Sequence, residues 1–222
     1  DAKTNLSDSF LFASCGKAHG VNIVFDGKVI AGTRGKKERT KSYNAFSSIN
    51  FPYIATIQDS HIIFYLDDKD QVSKDVTFYH KLDSKVTLLK LIPSMNGGIL
   101  DYLFKHYDAV IIESFGVGGI PSYENDSFHR DYYRAVGRWT ALGKTVVMTT
   151  QVTNEGSNMS VYEIGKTIKK EFGLLEAYDM TLEATVTKLM WILGQTHSPD
   201  TVREMLYSTI NRDILYTTKW KA

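Results

Sequence analysis

The sequence contains little of what marks secreted, membrane-bound or nucleic-acid-binding proteins. Cys15 is its single cysteine, so no internal disulfide can form and the fold does not depend on an oxidising compartment. The longest apolar runs, residues 86–92 and 109–112, are strand-sized and too short to span a bilayer. The 26 lysines and arginines nearly balance the 25 aspartates and glutamates, so no net field favours nucleic acid or an anionic membrane. We therefore expect a globular protein with neither a nucleic-acid nor a membrane partner.

Motifs that carry chemistry are also scarce. The histidines show neither H-E-x-x-H spacing nor a cysteine–histidine cluster, so no metal site is expected. Gly116-x-Gly118-Gly119 follows a predicted strand, but Pro121 stands where a dinucleotide fingerprint needs its last glycine. A nucleotide site is therefore disfavoured. The glycines still indicate a tight turn at the carboxyl end of a strand, where open α/β sheets place ligands.

The first part of the chain is predicted to combine one helix with several short strands. Leu6, Phe10 and Ala13 repeat at helical spacing, and Gly16 ends that pattern. The pair Asp26-Gly27 stands between two apolar runs and predicts a hairpin turn. In chain order, we expect a helix at 6–16, strands at 21–25 and 28–30, a basic loop at 32–41 and a strand at 61–66.

A polar, charged stretch separates this part from a region with a different pattern. Residues 68–85 are interpreted as a linker between domains at 1–67 and 86–222, although residues 76–79 allow a short strand. Beyond the linker, apolar strands alternate with helices, which favours an α/β fold with a parallel, doubly wound sheet. We expect strands at 86–92, 109–113 and 145–149, and helices at 99–106, 126–142, 161–172, 182–193 and 200–210.

Several residues of the second region allow both a structural and a functional interpretation. Asp179 is predicted to cap the helix at 182–193, with Glu183 near its positive end, and this role is favoured over catalysis for both. The helix at 126–142 is rich in large apolar side chains, which fit a domain core and a subunit interface equally. These side chains are Phe128, Tyr132, Val136, Trp139 and Leu142.

The basic loop contains the adjacent pair Lys36 and Lys37, for which three uses stay open. A nucleic-acid patch lacks support because no aromatic residues interleave with the charges. Composition favours a solvated loop. A lysine held near an acid and a hydroxyl can also move a proton to or from a nucleophile. For Cys15, a small apolar residue of the first helix is favoured over a reactive thiol.

Five segments, taken in order, resemble the cytoplasmic, type I L-asparaginases. They are residues 20–25, 34–37 with 43–52, 114–121, Thr150-Gln151 with Gly156, Tyr162 and Gly165, and 179–189. The resemblance implies a larger N-terminal α/β domain, of which residues 1–67 are the C-terminal part, and a complete smaller domain at 86–222. It also implies hydrolysis of L-asparagine to L-aspartate and ammonia through a threonine acyl-enzyme, in the cytoplasm and without metal or cofactor.

The threonine-rich segments of that family, T-G-G-T-I and G-T-D, do not occur in this sequence. The resemblance also implies a proton relay of a second threonine, an aspartate and a lysine, of which only the lysine can be assigned to this sequence. It falls on Lys37 by its spacing from Arg34, with Lys36 as the alternative if the register differs by one. The loop with Gly118 and Gly119 resembles a segment that approaches the active site of a neighbouring subunit, although Gly119 replaces the family's commoner asparagine. We therefore expect this chain alone to be inactive.

A missing nucleophile has two explanations. The chain is either a fragment of a longer polypeptide, which Asp1 in place of methionine favours, or a natural half that pairs with a separate N-terminal chain. In both cases a cut sheet exposes an edge, so we expect a partner chain or a homo-oligomer, a dimer or a tetramer. Two other functions stay open: a non-catalytic asparaginase-like interaction module, and an amidotransferase subunit that supplies ammonia to a tRNA-linked reaction.

Overall fold

The computed structural model describes residues 1–66, 77–120 and 127–215, with the backbone alone for 127–130. The chain divides into two compact units. One consists of Asp1–Tyr79 with Ile210–Asp213, and the other of His80–Thr209 with Ile214–Ala222. Residues 67–76 of the expected linker lie outside the described residues, and residues 77–79 form no strand. The assignment of domains from the sequence stays a prediction.

The first unit contains one helix, a four-stranded antiparallel sheet and a separate two-stranded hairpin. The four-stranded sheet has the order β1-β2-β5-β6, and β3 pairs with β4. Its elements are α1 (Ala2–Ser14), β1 (Asn22–Phe25), β2 (Lys28–Ala31), β3 (Gly35–Lys37), β4 (Phe46–Ser48), β5 (Ala55–Gln58) and β6 (His61–Phe64). The expected basic loop at 32–41 is therefore wrong in part, because a 3-10 turn, Gly32–Arg34, leads directly into β3. The described strands of this unit are antiparallel, so the parallel pattern holds for the second unit only.

The predicted turn at Asp26-Gly27 is confirmed. Both residues have positive φ, 52° and 65°, as a two-residue hairpin of the I′ kind requires. Asp26 donates its backbone N–H to Asn5 Oδ1 at 2.9 Å, which ties the turn to α1. A Cβ on Gly27 would lie 2.9 Å from the carbonyl oxygen of Ile57, so the turn also needs glycine for space.

The apolar face expected for α1 is wrong. Leu6 and Phe10 are 58% and 67% exposed, whereas Phe12 is 3% exposed and its ring lies 5.9 Å from that of Phe64. Phe10 and Phe12 point to opposite sides because successive residues of a helix differ by about 100°. Cys15 is a free cysteine that packs against the same core as Phe12, as the apolar interpretation expects.

The second unit is built on a four-stranded parallel sheet with the order β10-β9-β8-β7, as the alternation of strands and helices predicts. The two-residue strand β10 was not expected from the sequence. The elements are β7 (Val86–Lys90), α2 (Gly98–His106), β8 (Ala109–Ser114), α3 (Ser127–Ala141), β9 (Thr145–Thr150), α4 (Glu163–Phe172), β10 (Leu175–Glu176), α5 (Leu182–Gln195) and α6 (Pro199–Tyr207). Among the described residues, no helix has the length and hydropathy needed to cross a bilayer.

Two hydrophobic cores cover the two faces of this sheet. On β8, Val110 and Ile112 join one core and Ala109 and Ile111 the other, as the two-residue period of a strand dictates. The first core also takes Tyr132, Val136 and Trp139 of α3, and Trp139 donates its ring N–H to the carbonyl of Leu100 at 3.1 Å. These three side chains therefore form a domain core. Leu142 is 68% exposed, and the side chain of Phe128 lies outside the described residues.

The predicted cap of α5 is wrong. Thr181 precedes the helix, and its hydroxyl accepts the N–H of Ala184 at 3.1 Å. Asp179 stands too far upstream to reach the first helical turn, because a capping side chain must directly precede that turn. Asp179 is 3% exposed, and both of its carboxylate oxygens lie 3.1 Å from the backbone nitrogen of Leu215, whose N–H they accept. Asp179 therefore binds the C-terminal segment of the second unit.

Candidate functional site

The hairpin of β3 and β4 places Lys36 and Lys37 on opposite faces. Lys37 lies opposite Phe46 and Lys36 opposite Ser47 in the antiparallel register. Residues directly opposite each other share a face, and neighbours along a strand do not. A reaction at one face of the hairpin can therefore use only one of the two lysines.

Lys37 is exposed, and its ammonium group lies over an aromatic pair. Its Nζ is 5.9 Å from the ring centroid of Phe46, whose ring lies 5.2 Å from that of Phe25. An exposed cation–π contact of this kind stabilises by about 0.5–1 kcal/mol. Among the described residues Lys37 forms no ion pair. The side chain is thus held by its contact with Phe46 while the charge stays accessible.

A groove of about 760 Å³ in the first unit reaches the edge of this aromatic pair. Phe25 lines the groove, together with Asn5 and Asp8 of α1 and with Tyr43 from the loop between β3 and β4. Lys37 does not line it. Polar and apolar residues both line the groove, and its charged side chains come from the first eight residues and from the turns at Asp26 and Asp59.

Arg34 fixes the start of the strand that carries Lys37. Its side chain has no exposed surface, its Nε donates to the carbonyl of Arg212 at 2.5 Å, and its guanidinium lies 5.6 Å from the ring centroid of Phe51. Ile49 donates its N–H to the carbonyl of Arg34 at 2.9 Å, which joins this point to the end of β4. Sequence reasoning used Arg34 only as a spacing marker, because a lone arginine in a basic segment gives no periodic sign of burial.

The loop of Gly118 and Gly119 follows the carboxyl end of β8, where the sequence predicts a ligand-facing turn. The two glycines have φ of 100° and 116°, and Gly116 has 51°. These values lie in the region that side chains rarely adopt, so the loop depends on glycine. A Cβ on Gly118 would also lie 3.3 Å from Cβ of Ser157, whose hydroxyl is buried without a hydrogen-bond partner among the described residues.

Polar groups at the ends of β8 and β9 hold this loop by its carbonyl oxygens. Thr150 donates its hydroxyl to Gly116 at 2.5 Å, and Ser114 donates its hydroxyl to Gly119. Asn158 donates its N–H to Val117 at 2.7 Å. The N–H of Gly118 is also bonded, to the carbonyl of Phe115 at 3.0 Å, and residues 116–119 carry no titratable side chain.

A buried polar cluster that sequence reasoning missed supports the segment behind this loop. Glu176 on β10 has no exposed surface, and its carboxylate accepts from Lys169 Nζ and, at 2.7 Å, from the N–H of Met159. Burial would lower the pKa of Lys169, but hydrogen bonds from its ammonium group to Glu176 and Tyr178 outweigh that effect and raise the pKa. Burial also raises the pKa of Tyr207, whose hydroxyl accepts the N–H of Glu176, to about 12.

No group of three histidine, cysteine, aspartate or glutamate side chains suited to a metal ion is present within the described ranges. The site residues expected from the sequence are Lys37 on its hairpin in the first unit and Gly118 and Gly119 in the loop of the second. Each site is defined by the contacts within its own unit. A single lysine can transfer protons, but it needs a nucleophile to complete a group transfer.

Two family models match the chain, one for each part. Residues 1–70 match the model described as asparaginase, N-terminal, and residues 85–206 match the glutaminase/asparaginase C-terminal domain. An L-asparaginase of Thermococcus kodakarensis is 34% identical over 96% of this chain. One of the subunits of the glutamyl-tRNA(Gln) amidotransferase of Pyrococcus furiosus is 34% identical over 85% of it. The chain spans 62% of the first relative and 42% of the second.

Solved structures show the same likeness. The thermostable L-asparaginase from Thermococcus kodakarensis superposes with a TM-score of 0.83 at 32% identity, covering 98% of this chain and 63% of that one. L-asparaginase I from Vibrio cholerae gives a TM-score of 0.81 at 21% identity, covering 97% of this chain and 63% of that one. The second comparison concerns the fold alone. The expected resemblance and the expected α/β fold are both confirmed.

Proposed function

Because the chain belongs to the glutaminase/asparaginase family, we propose that the natural protein hydrolyses L-asparagine to L-aspartate and ammonia. The observation that carries the proposal is the placement of Lys37, whose register in the hairpin is fixed and whose Nζ stays accessible. The L-asparaginase relative, matched over 96% of the chain, supports the choice of substrate.

In the proposed reaction a threonine hydroxyl attacks the side-chain amide carbon of asparagine. Lys37, as the free amine, accepts the hydroxyl proton while the bond between threonine oxygen and carbon forms. The carbon–nitrogen bond then breaks, and the proton leaves with ammonia. Water cleaves the resulting acyl-enzyme to give aspartate and free threonine. The sequence has neither T-G-G-T-I nor G-T-D, so this threonine belongs to a part of the protein outside these 222 residues.

The proposal extends to domains and assembly. Residues 1–67 are the C-terminal part of the asparaginase N-terminal domain, and residues 86–222 form the asparaginase C-terminal domain. The linker at 68–85 joins the two. The two family matches, at 1–70 and 85–206, support this division. Gly118 and Gly119 border the active site of a neighbouring subunit in a cytoplasmic homo-oligomer. The rigid attachment of their loop to the ends of β8 and β9 supports such a role, because binding by backbone groups requires a fixed backbone.

Ammonia release from L-asparagine by the natural full-length protein tests the proposal. Replacing Lys37 by methionine should lower kcat by about 10²–10⁴-fold, the usual contribution of a general base. Lys36→Met is the matched control, because Lys36 points to the other face of the same strand, and its kcat should stay within about threefold of wild type. Near-normal turnover in Lys37→Met would rule out the assigned role.

A second candidate function is that of an amidotransferase subunit. Relatives that are named as subunits of glutamyl-tRNA(Gln) amidotransferase match at 31% and 34% identity over 85% of the chain. This function requires a second protein chain and glutamyl-tRNA(Gln) for ammonia release. Ammonia formed from free asparagine by the purified protein favours the asparaginase, whereas dependence on tRNA and a co-purifying chain favours the amidotransferase. Absence of ammonia under both conditions favours the non-catalytic interaction module.

A further inference from the structure

The turn Ile210–Asp213 belongs to the first compact unit, although residues of the second unit flank it in sequence. Asp213 closes the turn: its carboxylate accepts the N–H of Ile210 at 2.8 Å, and its own N–H donates to the carbonyl of Ile210 at 3.0 Å. Asn211 and Arg212 between them have φ of 46° and 64°. A positive φ at arginine persists only where surrounding contacts fix the backbone.

Those contacts come from the residues directly before β3. Thr33 donates its hydroxyl to the carbonyl of Asn211 at 2.6 Å, and Arg34 donates its Nε to the carbonyl of Arg212 at 2.5 Å. Two successive side chains thus bind two successive carbonyls. The ring of Phe51 lies 5.6 Å from the guanidinium of Arg34 and 5.9 Å from that of Arg212. The guanidinium of Arg34 is charged and has no exposed surface. Its hydrogen bond to the carbonyl of Arg212 is therefore a strong attachment, because charge-assisted hydrogen bonds are stronger than neutral ones.

The hairpin depends on such an anchor. β3 and β4 have three residues each and form a sheet of their own, and an isolated two-stranded hairpin is marginally stable in water. Lys37 stands three residues after Arg34, a span of about 10 Å along a strand. The hairpin is therefore held at one end by Arg34 and at the other by the contact of Phe46 with Phe25.

We infer that Arg34 is a positioning residue for Lys37. Its hydrogen bond to the carbonyl of Arg212 fixes the position of β3, and thereby the position from which the Lys37 amine accepts a proton. The inference rests on the proposed role of Lys37. A displacement of about 1 Å is enough to lower a rate by about 10²-fold, so a small shift of β3 would be visible in kcat. Substrate does not contact Arg34, which has no exposed surface, so KM should respond little.

The test uses the natural full-length protein with Arg34→Lys, which keeps the positive charge but lacks the planar guanidinium and its Nε. We expect kcat for asparagine to fall about 10–100-fold while KM stays within about threefold. Backbone amides of residues 35–37 and 46–48 should exchange hydrogen for deuterium faster. Arg39→Lys is the control on the same hairpin. Arg39 is exposed and donates to the carbonyl of Asn44 at 3.0 Å, and its variant should match wild type in kcat and exchange.

Two further variants separate positioning from loss of folding. Thr33→Val removes one anchoring hydrogen bond from the same turn and should lower kcat in the same direction, by a smaller factor. Asp213→Ala opens the turn itself, and combining it with Arg34→Lys should lower kcat no further than the stronger single change. Wild-type kcat in Arg34→Lys, while Lys37→Met is inactive, would overturn the inference and leave the proposed function intact. Full activity in Lys37→Met would instead remove the premise.

Discussion

Glu176 and Lys169 form an ion pair in the interior of the second unit, with the carboxylate wholly buried and the lysine side chain 18% exposed. The same carboxylate accepts the N–H of Met159, and the neighbouring Asn158 donates its N–H to Val117 of the glycine loop. The adjacent residues Asn158 and Met159 therefore connect β10, through one hydrogen bond each, to the loop that we propose to border an active site.

Replacing Glu176 by glutamine should destabilise the protein strongly. The change keeps the shape of the side chain but leaves Lys169 charged and without its anionic partner, which typically costs about 3 kcal/mol in the free energy of unfolding. Glu163→Gln, on the helix that carries Lys169, is the control, because its pair with Lys166 is 82% and 62% exposed and should change stability by less than about 0.5 kcal/mol. Urea unfolding of both variants measures the difference, and equal effects would contradict the structural role of Glu176.

Stability should fall in alkaline solution through Tyr207. Its pKa is raised from 10.0 to about 12 in the folded protein, chiefly by burial. Between pH 10 and 12 the unfolded chain therefore loses this proton while the folded chain keeps it. The free energy of unfolding then decreases by about 1.4 kcal/mol per pH unit from this group. Below pH 10 the contribution is constant.

Tyr207→Phe should decline less steeply than wild type above pH 10, although it is less stable at neutral pH because it loses the hydrogen bond with Glu176. Tyr162→Phe, at a side chain 64% exposed, should keep the wild-type slope. Thermal melts at half-unit pH steps provide the comparison. Parallel curves for wild type and Tyr207→Phe would show that the hydroxyl titrates alike in both states.

The parallel sheet was predictable because its strands are near-continuous apolar runs with helices between them. The Asp26-Gly27 turn was predictable because local backbone geometry decides it. The inward face of α1 was not, since Leu6 and Phe10 fit a helical stripe as well as Leu11 and Phe12 do. Only the position of the sheet decides which of these two faces of α1 is buried.

The candidate site was likewise predictable only in part. The resemblance assigned Lys37 through a spacing of a few residues. The contact between Arg34 and Arg212 joins positions 178 apart, and nothing local in the sequence reveals it. Glu176 was missed for a related reason: its strand has two residues, too few to show a period, and its partner Lys169 lies on a separate helix.

The role of Thr181 as the cap of α5 can be tested by mutation. Thr181→Ala removes the hydroxyl that accepts the N–H of Ala184, and should lower the free energy of unfolding by about 1 kcal/mol. Thr187→Ala on the exposed side of the same helix should change it by less than about 0.5 kcal/mol, because its hydroxyl donates to carbonyls of the preceding turn, those of Glu183 and Ala184, and caps no helix end. Chemical denaturation of the two variants measures both free energies of unfolding. A larger loss of stability in Thr187→Ala than in Thr181→Ala would contradict the assignment of Thr181 as the cap.

The glycine loop offers a last test, in which conformation and space are varied separately. Gly118 and Gly119 both have φ that disfavours a side chain, but only at Gly118 would a Cβ also press on Ser157, at 3.3 Å. Gly119→Ala should therefore lose about 1 kcal/mol of stability from backbone strain, and Gly118→Ala more, since strain and contact add. If the loop borders a neighbouring active site, Gly119→Ala should also raise KM for asparagine at unchanged oligomeric state. Stability from calorimetry and KM from ammonia release are read on the same samples. An identical loss of stability in the two variants would mean that Ser157 moves aside freely.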